Sequence, residues 1–151
     1  MQYDIQLDSS PGQPIAVVRR RAKLHELGKV IQESCGLVWK VMKSQNVAGA
    51  GRHVSVYLDD VINLEIGVEV PTPFAGHGEV VGSTLPSGLV ARTTHFGPYQ
   101  LLGNAHDAIH EWCRANGQEL AGPRWEIYGH WLDEWNRDPS KIRTDINYLL
   151  G

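Results

Sequence analysis

The sequence has little of what marks several common protein classes. Its 151 residues include only two cysteines, Cys35 and Cys113, in neither a CxxC pair nor an evenly spaced framework. Such thiols are typical of small buried side chains in a reducing compartment. No apolar run approaches membrane length, and the first residues lack the basic and apolar pattern of a signal peptide. We therefore expect a cytoplasmic protein that does not enter a membrane.

The signatures of several enzyme classes are also missing. The chain has no Gly-x-Ser-x-Gly elbow, no glycine-rich phosphate loop, no dinucleotide fingerprint and no HExxH. His106 and His110 have the i, i+4 spacing of a zinc pair, but no third ligand is evident. A solvent-exposed helix face is the preferred interpretation of these histidines. The sequence predicts neither a metal nor a cofactor.

Charge and composition limit the partners. The net charge is −3, with 42% hydrophobic and 21% charged residues, which is typical of a globular domain. A pI near 6.1 argues against a nucleic-acid surface, and no helix-turn-helix module is recognisable. The run Arg19-Arg20-Arg21 is interpreted as a solvated strand end, with an acidic partner as the alternative. The length predicts a single domain over residues 1–151 without direct nucleic-acid binding.

Two amphipathic helices alternate with strands along the chain. One helix is predicted from Leu24 to about Gln45, and Gly97-Pro98-Tyr99 is expected to open the second. The core stripe of the second helix is predicted to consist of Leu102, Ala105, Ile109 and Trp112. Strands are predicted over residues 3–7, 15–21, 53–58, 61–70, 79–85, 89–95, 124–130 and 141–150, with turns at 9–12, 59–60 and 86–88 and a loop at 132–140.

The second half of the chain repeats the first. Residues 54–57 align with 125–128, residues 64–66 align with 144–146, and Trp39 aligns with Trp112 after a two-residue gap. The pseudo-repeats cover about 1–72 and 77–151. This order predicts an α+β fold of duplicated βαββ halves. We expect one antiparallel sheet with two helices on one face and a ligand groove on the other.

The strand after Gly122-Pro123 carries the clearest functional pattern. Side chains alternate along a strand, so Trp125 and Ile127 face a core while Glu126, Tyr128 and His130 face the other way. A carboxylate in apolar surroundings takes up a proton or finds a cation. The alternative is a buried salt bridge to Arg92 or Arg124. In the repeat Tyr57 falls on Tyr128, whereas Glu126 falls on Ser55, so the charge breaks the symmetry.

The chain resembles the GyrI-like (gyrase-inhibitor-like) small-molecule-binding domain, also the effector-binding domain of AraC- and MerR-type multidrug regulators. The resemblance covers essentially the whole chain. It rests on residues 85–88, 95–99, the helix ending at Trp112, residues 122–128 and residues 144–146. It implies a groove for hydrophobic, often cationic or flat aromatic compounds, with Glu126 as the ligand-facing acid. The chain has Asp145 where the family usually has Glu and Tyr148 where it usually has Pro.

The main prediction is a binding protein for such small molecules, with a role in drug or toxin sequestration. One alternative is a hydrolase of cyclopropanoid genotoxins, with Glu126 as general base and Tyr57 or Tyr128 as hydrogen-bond donor. A second is a protein-interaction module, such as a gyrase modulator. Core packing competes with the groove for Trp39 and both tyrosines, and Trp131 and Trp135 are interpreted as a lid or as surface packing. The candidate ligand-binding residues are Glu126, Tyr128, Tyr57, Trp39, His130, Trp131, Phe96 and Tyr99.

Overall fold

One curled antiparallel sheet of eight strands dominates the computed structural model, which describes residues 3–59 and 63–151. Two long helices pack on this sheet, each preceded by a short 3₁₀ turn. The strands are β1 (Gln6–Pro11), β2 (Pro14–Arg21), β3 (His53–Tyr57), β4 (Asn63–Glu69), β5 (Val81–Thr84), β6 (Ser87–Phe96), β7 (Leu120–Tyr128) and β8 (Arg143–Leu150), and the helices are α1 (Leu27–Ser44), α2 (Leu102–Ala115) and the short α3 (Glu134–Arg137).

The strand order is β1-β6-β8-β7-β3-β4-β2-β5. Each half supplies a βαββ unit, β2-α1-β3-β4 and β6-α2-β7-β8, as the repeat predicts. The strand that precedes each unit pairs with the other half, because β1 lies beside β6 and β5 lies beside β2. The two halves are therefore joined at both sheet edges as well as at the centre.

The pairing of the central strands β3 and β7 confirms which residues of the two halves are equivalent. Ser55 is the Cα partner of Glu126, and Val54 is the partner of Ile127. Residues 55 and 126 are also equivalent in the repeat, so the pseudo-twofold axis passes between them. The predicted equivalence of residues 64–66 and 144–146 holds as well, since Tyr57 pairs with Leu64 and Tyr128 pairs with Thr144.

The helices repeat without a gap. The buried positions of α1 are Ser34, Val38 and Met42, and the residues 71 positions later in α2 are the buried Ala105, Ile109 and Cys113. The expected alignment of Trp39 with Trp112 is therefore wrong by two residues, and His110 occupies the position equivalent to Trp39. Trp112 is only partly buried. Cys113 occupies the position in the core stripe that was expected for Trp112.

The two faces of the sheet bury different cores. On one face, α1 packs against β2 and β4, and α2 packs against β6 and β8. On the other, the curled sheet closes over apolar side chains from several strands. These include Ile15, Val17, Val54, Val56, Leu85, Val90, Trp125 and Ile127.

The groove lies on the face that carries the helices, whereas we expected it on the opposite face. The helices cover the two lateral parts of the sheet and leave the central strands β3 and β7 open between them. The opposite face has no room for a comparable groove there, because Trp125 and its apolar neighbours fill it. Alternation along β7 predicted the two faces correctly, but it could not tell which face carries the helices.

Some element boundaries differ from the expected ones. Strand β1 runs through the expected turn to Pro11 because it follows β6, and Ser10 Oγ donates to the Pro86 carbonyl at 2.6 Å. Strand β6 begins at Ser87 rather than after Gly88. The expected loop at 132–140 includes α3 and part of a 3₁₀ turn. The expected β3–β4 hairpin is present, but its turn includes residues 60–62, which lie outside the described residues.

No helix in the described part of the chain is both long and apolar enough to span a membrane.

Candidate functional site

A cavity of about 1110 Å³ opens between α1 and α2 above the central strands. Residues from both helices and both halves of the sheet form its walls. We call this cavity the groove. Its lining consists of Leu24, Leu27, Gly28, Ile31, Gln32, Cys35, Trp39, Gly51, His53, Tyr57, Tyr99, Leu102, Gly103, His106, His110, Arg124, Glu126, Tyr128, Gly129, His130, Trp131 and Tyr148.

Glu126 is the acidic residue among these lining residues, and it is 5% exposed. Strand alternation points it to the helix-bearing face, while its neighbours Trp125 and Ile127 enter the opposite core. One carboxylate oxygen, Oε1, accepts hydrogen bonds from the hydroxyls of Tyr128 at 2.6 Å and Tyr57 at 3.3 Å. These two phenols satisfy one oxygen of a buried carboxylate, which would otherwise be costly to remove from water.

The two phenols stay protonated across the physiological pH range. Burial raises the pKa of Tyr57, and the nearby Glu126 carboxylate raises it further. The pKa of Tyr128 is raised well above its usual value by the same two causes, burial first. The Tyr128 oxygen also lies 3.0 Å from Ser55 Oγ. Both tyrosines are therefore hydrogen-bond donors toward the groove carboxylate rather than bases.

His106 makes the third contact of this carboxylate. Its Nε2 lies 2.6 Å from Glu126 Oε2, and its Nδ1 lies 2.6 Å from the Tyr148 hydroxyl. The ring of Tyr148 contacts His106 edge-on, with ring centres 5.5 Å apart. A helix residue thus reaches across the groove to the central strand. Three side chains satisfy Glu126, and among the described residues the ion pairs do not include one from Glu126 to Arg92 or Arg124; Arg92 pairs with Asp8.

Aromatic side chains form much of the remaining wall. Tyr99 contacts Tyr128 edge-on at 5.8 Å between ring centres, and Trp39 contacts His53 at 5.9 Å. The guanidinium of Arg124 lies 5.4 Å from the ring centre of Tyr57. Burial raises the pKa of the Cys35 thiol to about 11, so this groove residue is neutral at physiological pH. The chemical character of the site is an aromatic surface with one carboxylate at its floor.

The structure brings seven of the eight candidate ligand-binding residues to the groove. Glu126, Tyr57 and Tyr128 share one hydrogen-bond network, whereas Trp39, Tyr99, His130 and Trp131 lie around it. Phe96 is not among the lining residues. It is 53% exposed at the end of β6, where its neighbour His95 rather than Phe96 points to the helix-bearing face.

The two tryptophans near the C-terminal loop have different environments. Trp135 is buried and packs edge-on against Trp131 at 5.3 Å between ring centres. Trp131 is half exposed, lines the groove and donates from Nε1 to Asn136 Oδ1 at 3.3 Å. Trp135 is therefore a buried packing residue rather than an exposed aromatic of the loop, whereas the half-exposed Trp131 lies at the mouth of the groove.

Sequence reasoning missed the part played by α2. His106 and His110 were expected on a solvent-exposed face, yet both line the groove. The repeat contains the signal that would have found them. Counting 71 residues back from His106 and His110 gives Cys35 and Trp39, and Trp39 was already a groove candidate.

The two departures from the family pattern have different structural consequences. Tyr148 lines the groove and holds His106, as described above. Asp145 faces away from the groove, where its carboxylate accepts from Arg52 Nη1 at 3.1 Å, Arg143 Nε at 3.2 Å and Thr94 Oγ1 at 2.9 Å. Asp145 therefore stabilises the sheet on the face opposite the groove, whereas Tyr148 contributes to the groove itself.

Within residues 3–59 and 63–151, no three histidine, cysteine, aspartate or glutamate side chains are grouped to hold a metal ion. Of the four histidines that line the groove, His106 and His110 both contact the ring of Tyr148, at 5.5 and 5.0 Å between ring centres.

Comparisons with known proteins agree with this architecture. No curated protein sequence matches the chain. The EcmrR C-terminal domain superposes with a TM-score of 0.80 at 22% identity, over 100% of this chain and 99% of that chain. SAV2435 bound to tetraphenylphosphonium gives 0.70 at 12% identity, over 100% and 94%. A hydrolase encoded by lin2189 from Listeria innocua gives 0.63 at 13% identity, over 97% and 91%.

At these identities the solved structures establish a shared fold. The family assignment comes from the sequence model of the GyrI-like small molecule binding domain, which matches residues 3–147. That match spans both βαββ units, both long helices and the groove between them. The chain therefore belongs to the GyrI-like small-molecule-binding domain family.

Proposed function

We propose that the protein binds and sequesters hydrophobic aromatic small molecules, lipophilic cations among them, in the groove between α1 and α2. The observation that carries the proposal is the placement of Glu126. A buried carboxylate lies at the floor of a cavity whose walls are aromatic and aliphatic. SAV2435 was solved with a lipophilic cation, tetraphenylphosphonium, which supports this ligand class.

The size of the groove suits a large ligand. Pockets for drug-sized molecules usually enclose about 300 to 1,000 Å³. A cavity of about 1110 Å³ lies just above that range, so a polycyclic or tetra-aryl compound fits better than a small metabolite. Because aromatic and aliphatic side chains supply much of the lining, selectivity is expected to be broad.

The aromatic walls and the carboxylate favour cations in different ways. Each ring face contributes about 0.5 to 2 kcal/mol to binding a cation, depending on how dry the contact is. The Glu126 carboxylate adds an attraction that depends on charge alone. A micromolar complex corresponds to about 8 kcal/mol, which several aromatic contacts and one charge can supply after the cost of immobilising the ligand.

Blocking the groove tests its assignment without altering its charges. Gly103 lies on α2 and lines the groove, and a β-carbon added there would meet no described atom beyond its own helix within 4 Å. Gly103→Trp therefore fills the cavity and leaves the helix backbone in place. Gly36 on α1 has the same open surroundings but does not line the groove, and Gly36→Trp is the matched control.

A thermal-shift screen of aromatic cations and neutral aromatics should give hits with the wild type and with Gly36→Trp. The same compounds should give no shift with Gly103→Trp. Hits that stabilise all three proteins equally would place the binding site elsewhere. An absence of hits in both chemical classes would contradict the proposed function.

A second candidate is hydrolysis of a strained-ring electrophile, favoured by the two phenol donors that converge on a groove carboxylate. Glu126 would take a proton from water as the water oxygen bonds to a ring carbon. The ring C–C bond would break, and its electron pair would move to a conjugated carbonyl oxygen, stabilised by Tyr57 or Tyr128. Three donors already share Glu126, and a general base would need a free lone pair aimed at the water. A cation needs only the charge of the carboxylate, so binding is the better supported function.

Product analysis separates the two functions. General-base catalysis contributes about a hundred- to ten-thousandfold in rate. If turnover occurs, Glu126→Gln should lose that much rate while still binding a neutral substrate. If no ring-opened product forms at high protein concentration while the compound binds, the protein is a binding protein for that compound.

A further inference from the structure

The groove already contains an ionisable group of its own at the carboxylate. The Nε2 of His106 lies on Glu126 Oε2, on the side of the carboxylate that the two phenols leave free. A ligand cation would have to share or take this position. Resting on the proposed function, we propose that His106 determines the charge preference of the groove: protonated, it neutralises Glu126 and favours neutral aromatics, and unprotonated, it leaves a net negative charge that favours aromatic cations.

The structure holds His106 in this place from two sides. On α2 it lies next to the buried Ala105 and one turn after the buried Leu102. Its second nitrogen, Nδ1, lies 2.6 Å from the Tyr148 hydroxyl, and Tyr148 is itself buried. The imidazole is therefore fixed between a strand hydroxyl and a strand carboxylate, which is the arrangement required of a built-in counter-ion.

Protonation can change the charge of this network without moving it. In the neutral ring Nε2 donates to Glu126 and Nδ1 accepts from the Tyr148 hydroxyl. In the charged ring both nitrogens donate, and the hydroxyl, which is both a donor and an acceptor, turns its proton elsewhere. The same side-chain positions thus serve both charge states. Only the net charge of the network formed by Glu126, His106 and Tyr148 differs, −1 in the first state and 0 in the second.

The other titratable groups that face the groove are three histidines, four tyrosines, Cys35, Arg124 and Glu126. The pKa of Tyr57 and of Tyr128 is raised, and the pKa of Cys35 is raised to about 11, so these groups are neutral between pH 5 and 8. Arg124 remains charged throughout. Histidine is the side chain whose charge ordinarily changes in this range. Of the groove histidines His53, His106, His110 and His130, it is His106 that contacts the carboxylate.

Calorimetric titration against pH tests the inference with two matched compounds. Tetraphenylphosphonium carries a permanent charge, and triphenylphosphine oxide is a neutral aromatic of related shape. Cation affinity of the wild type should rise roughly tenfold from pH 5.5 to 8.5, which is the effect of one unit charge a few ångströms away after screening in an open groove. Affinity for the neutral compound should change less than about twofold.

Two variants test whether His106 is the source of the pH dependence of cation affinity. His106→Gln retains a donor for Glu126 but cannot titrate, so its cation affinity should be nearly independent of pH while the neutral compound still binds. His77→Gln replaces an exposed histidine that does not line the groove, so it should retain the pH dependence. Equal pH dependence in His106→Gln and wild type would overturn the inference, and so would its loss in His77→Gln.

A measurement on the wild type alone also tests the role of His106, without relying on the folding of a variant. Because the cation favours the unprotonated histidine, binding near pH 6 should release protons, which appears as a binding enthalpy that varies with the ionisation enthalpy of the buffer. Cation binding without proton release, or with an affinity independent of pH, contradicts the role of His106 and leaves the proposed function intact. Failure of both compounds to bind at every pH contradicts both.

Discussion

Ser55 and Glu126 are Cα partners on the two central strands, and the pseudo-twofold axis of the duplicated fold passes between them. The duplication therefore produces a nearly symmetric groove with a tyrosine from each half, Tyr57 and Tyr128. Only one of the two positions on the axis carries a charge. The nearly symmetric groove therefore has one carboxylate, that of Glu126, at its centre.

The two phenols should contribute unequally to stability. Tyr128 donates to Glu126 at 2.6 Å, whereas Tyr57 donates at the longer distance of 3.3 Å. Removing a donor from a buried charged acceptor costs about 1 to 3 kcal/mol. We expect Tyr128→Phe to lower the free energy of unfolding by about 2 kcal/mol and Tyr57→Phe by about 0.5 kcal/mol, measured by urea denaturation. The reverse order would show that the groove carboxylate depends mainly on Tyr57.

Asp145 should stabilise the fold and leave ligand binding unaffected. Its buried carboxylate links β8 to Arg52, which also pairs with Glu69 on β4. Asp145→Asn leaves both arginines with a weaker partner, and we expect a loss of about 2 kcal/mol in the free energy of unfolding.

Asp8→Asn is the matched control for this substitution, because it removes an ion pair with Arg92 that is exposed on both sides. Its urea midpoint should equal that of the wild type. Ligand affinity should be unchanged in both variants. A loss of affinity in Asp145→Asn would mean that the network on the opposite face shapes the groove.

His53 should make the protein less stable in mild acid. Burial lowers its pKa, and the neighbouring His130 adds to the lowering. Below about pH 6.5, where an unfolded histidine takes up a proton, the unfolded chain therefore binds protons more readily than the folded protein. Stability should fall as the pH drops from about 6.5 and should show no contribution from His53 above it. Melting temperatures at pH 5.5 and 8 should differ less in His53→Asn than in wild type.

His25→Asn provides the comparison for this prediction, since His25 is exposed in the 3₁₀ turn before α1. It should reproduce the pH dependence of the wild type. If His53→Asn also reproduces it, the acid sensitivity arises elsewhere in the protein.

Trp39 should contribute to affinity for every ligand class. It is 41% exposed, lines the groove and contacts His53 rather than the core. Trp39→Ala removes an aromatic wall, so affinity should fall roughly tenfold for neutral and cationic aromatics alike. Phe96→Ala is the control, because Phe96 is an exposed aromatic outside the groove. Calorimetry that showed equal losses for both variants would imply a binding surface wider than the groove.

Local sequence patterns predicted the parts of this structure that depend on local rules. Alternation along residues 125–128 predicted which side chains of β7 enter a core, and the repeat predicted which residues of β3 and β7 are equivalent. The exchange of β1 and β5 between the halves was not predictable in this way, because the partner of an edge strand is a long-range choice. The same limit applies to His106, since its polar helix face has the pattern of a solvated surface until the helix is placed against the sheet.

The central claim is that Glu126 anchors lipophilic cations in the groove, and one pair of affinities tests it most directly. Glu126→Gln preserves the shape of the side chain and its capacity to accept from Tyr128, but removes the charge. Calorimetry at pH 8 should show tetraphenylphosphonium binding to the wild type with a dissociation constant on the order of micromolar. It should bind Glu126→Gln roughly tenfold or more weakly, whereas triphenylphosphine oxide binds both proteins alike. Equal losses for the two compounds, or no loss for the cation, would contradict the claim.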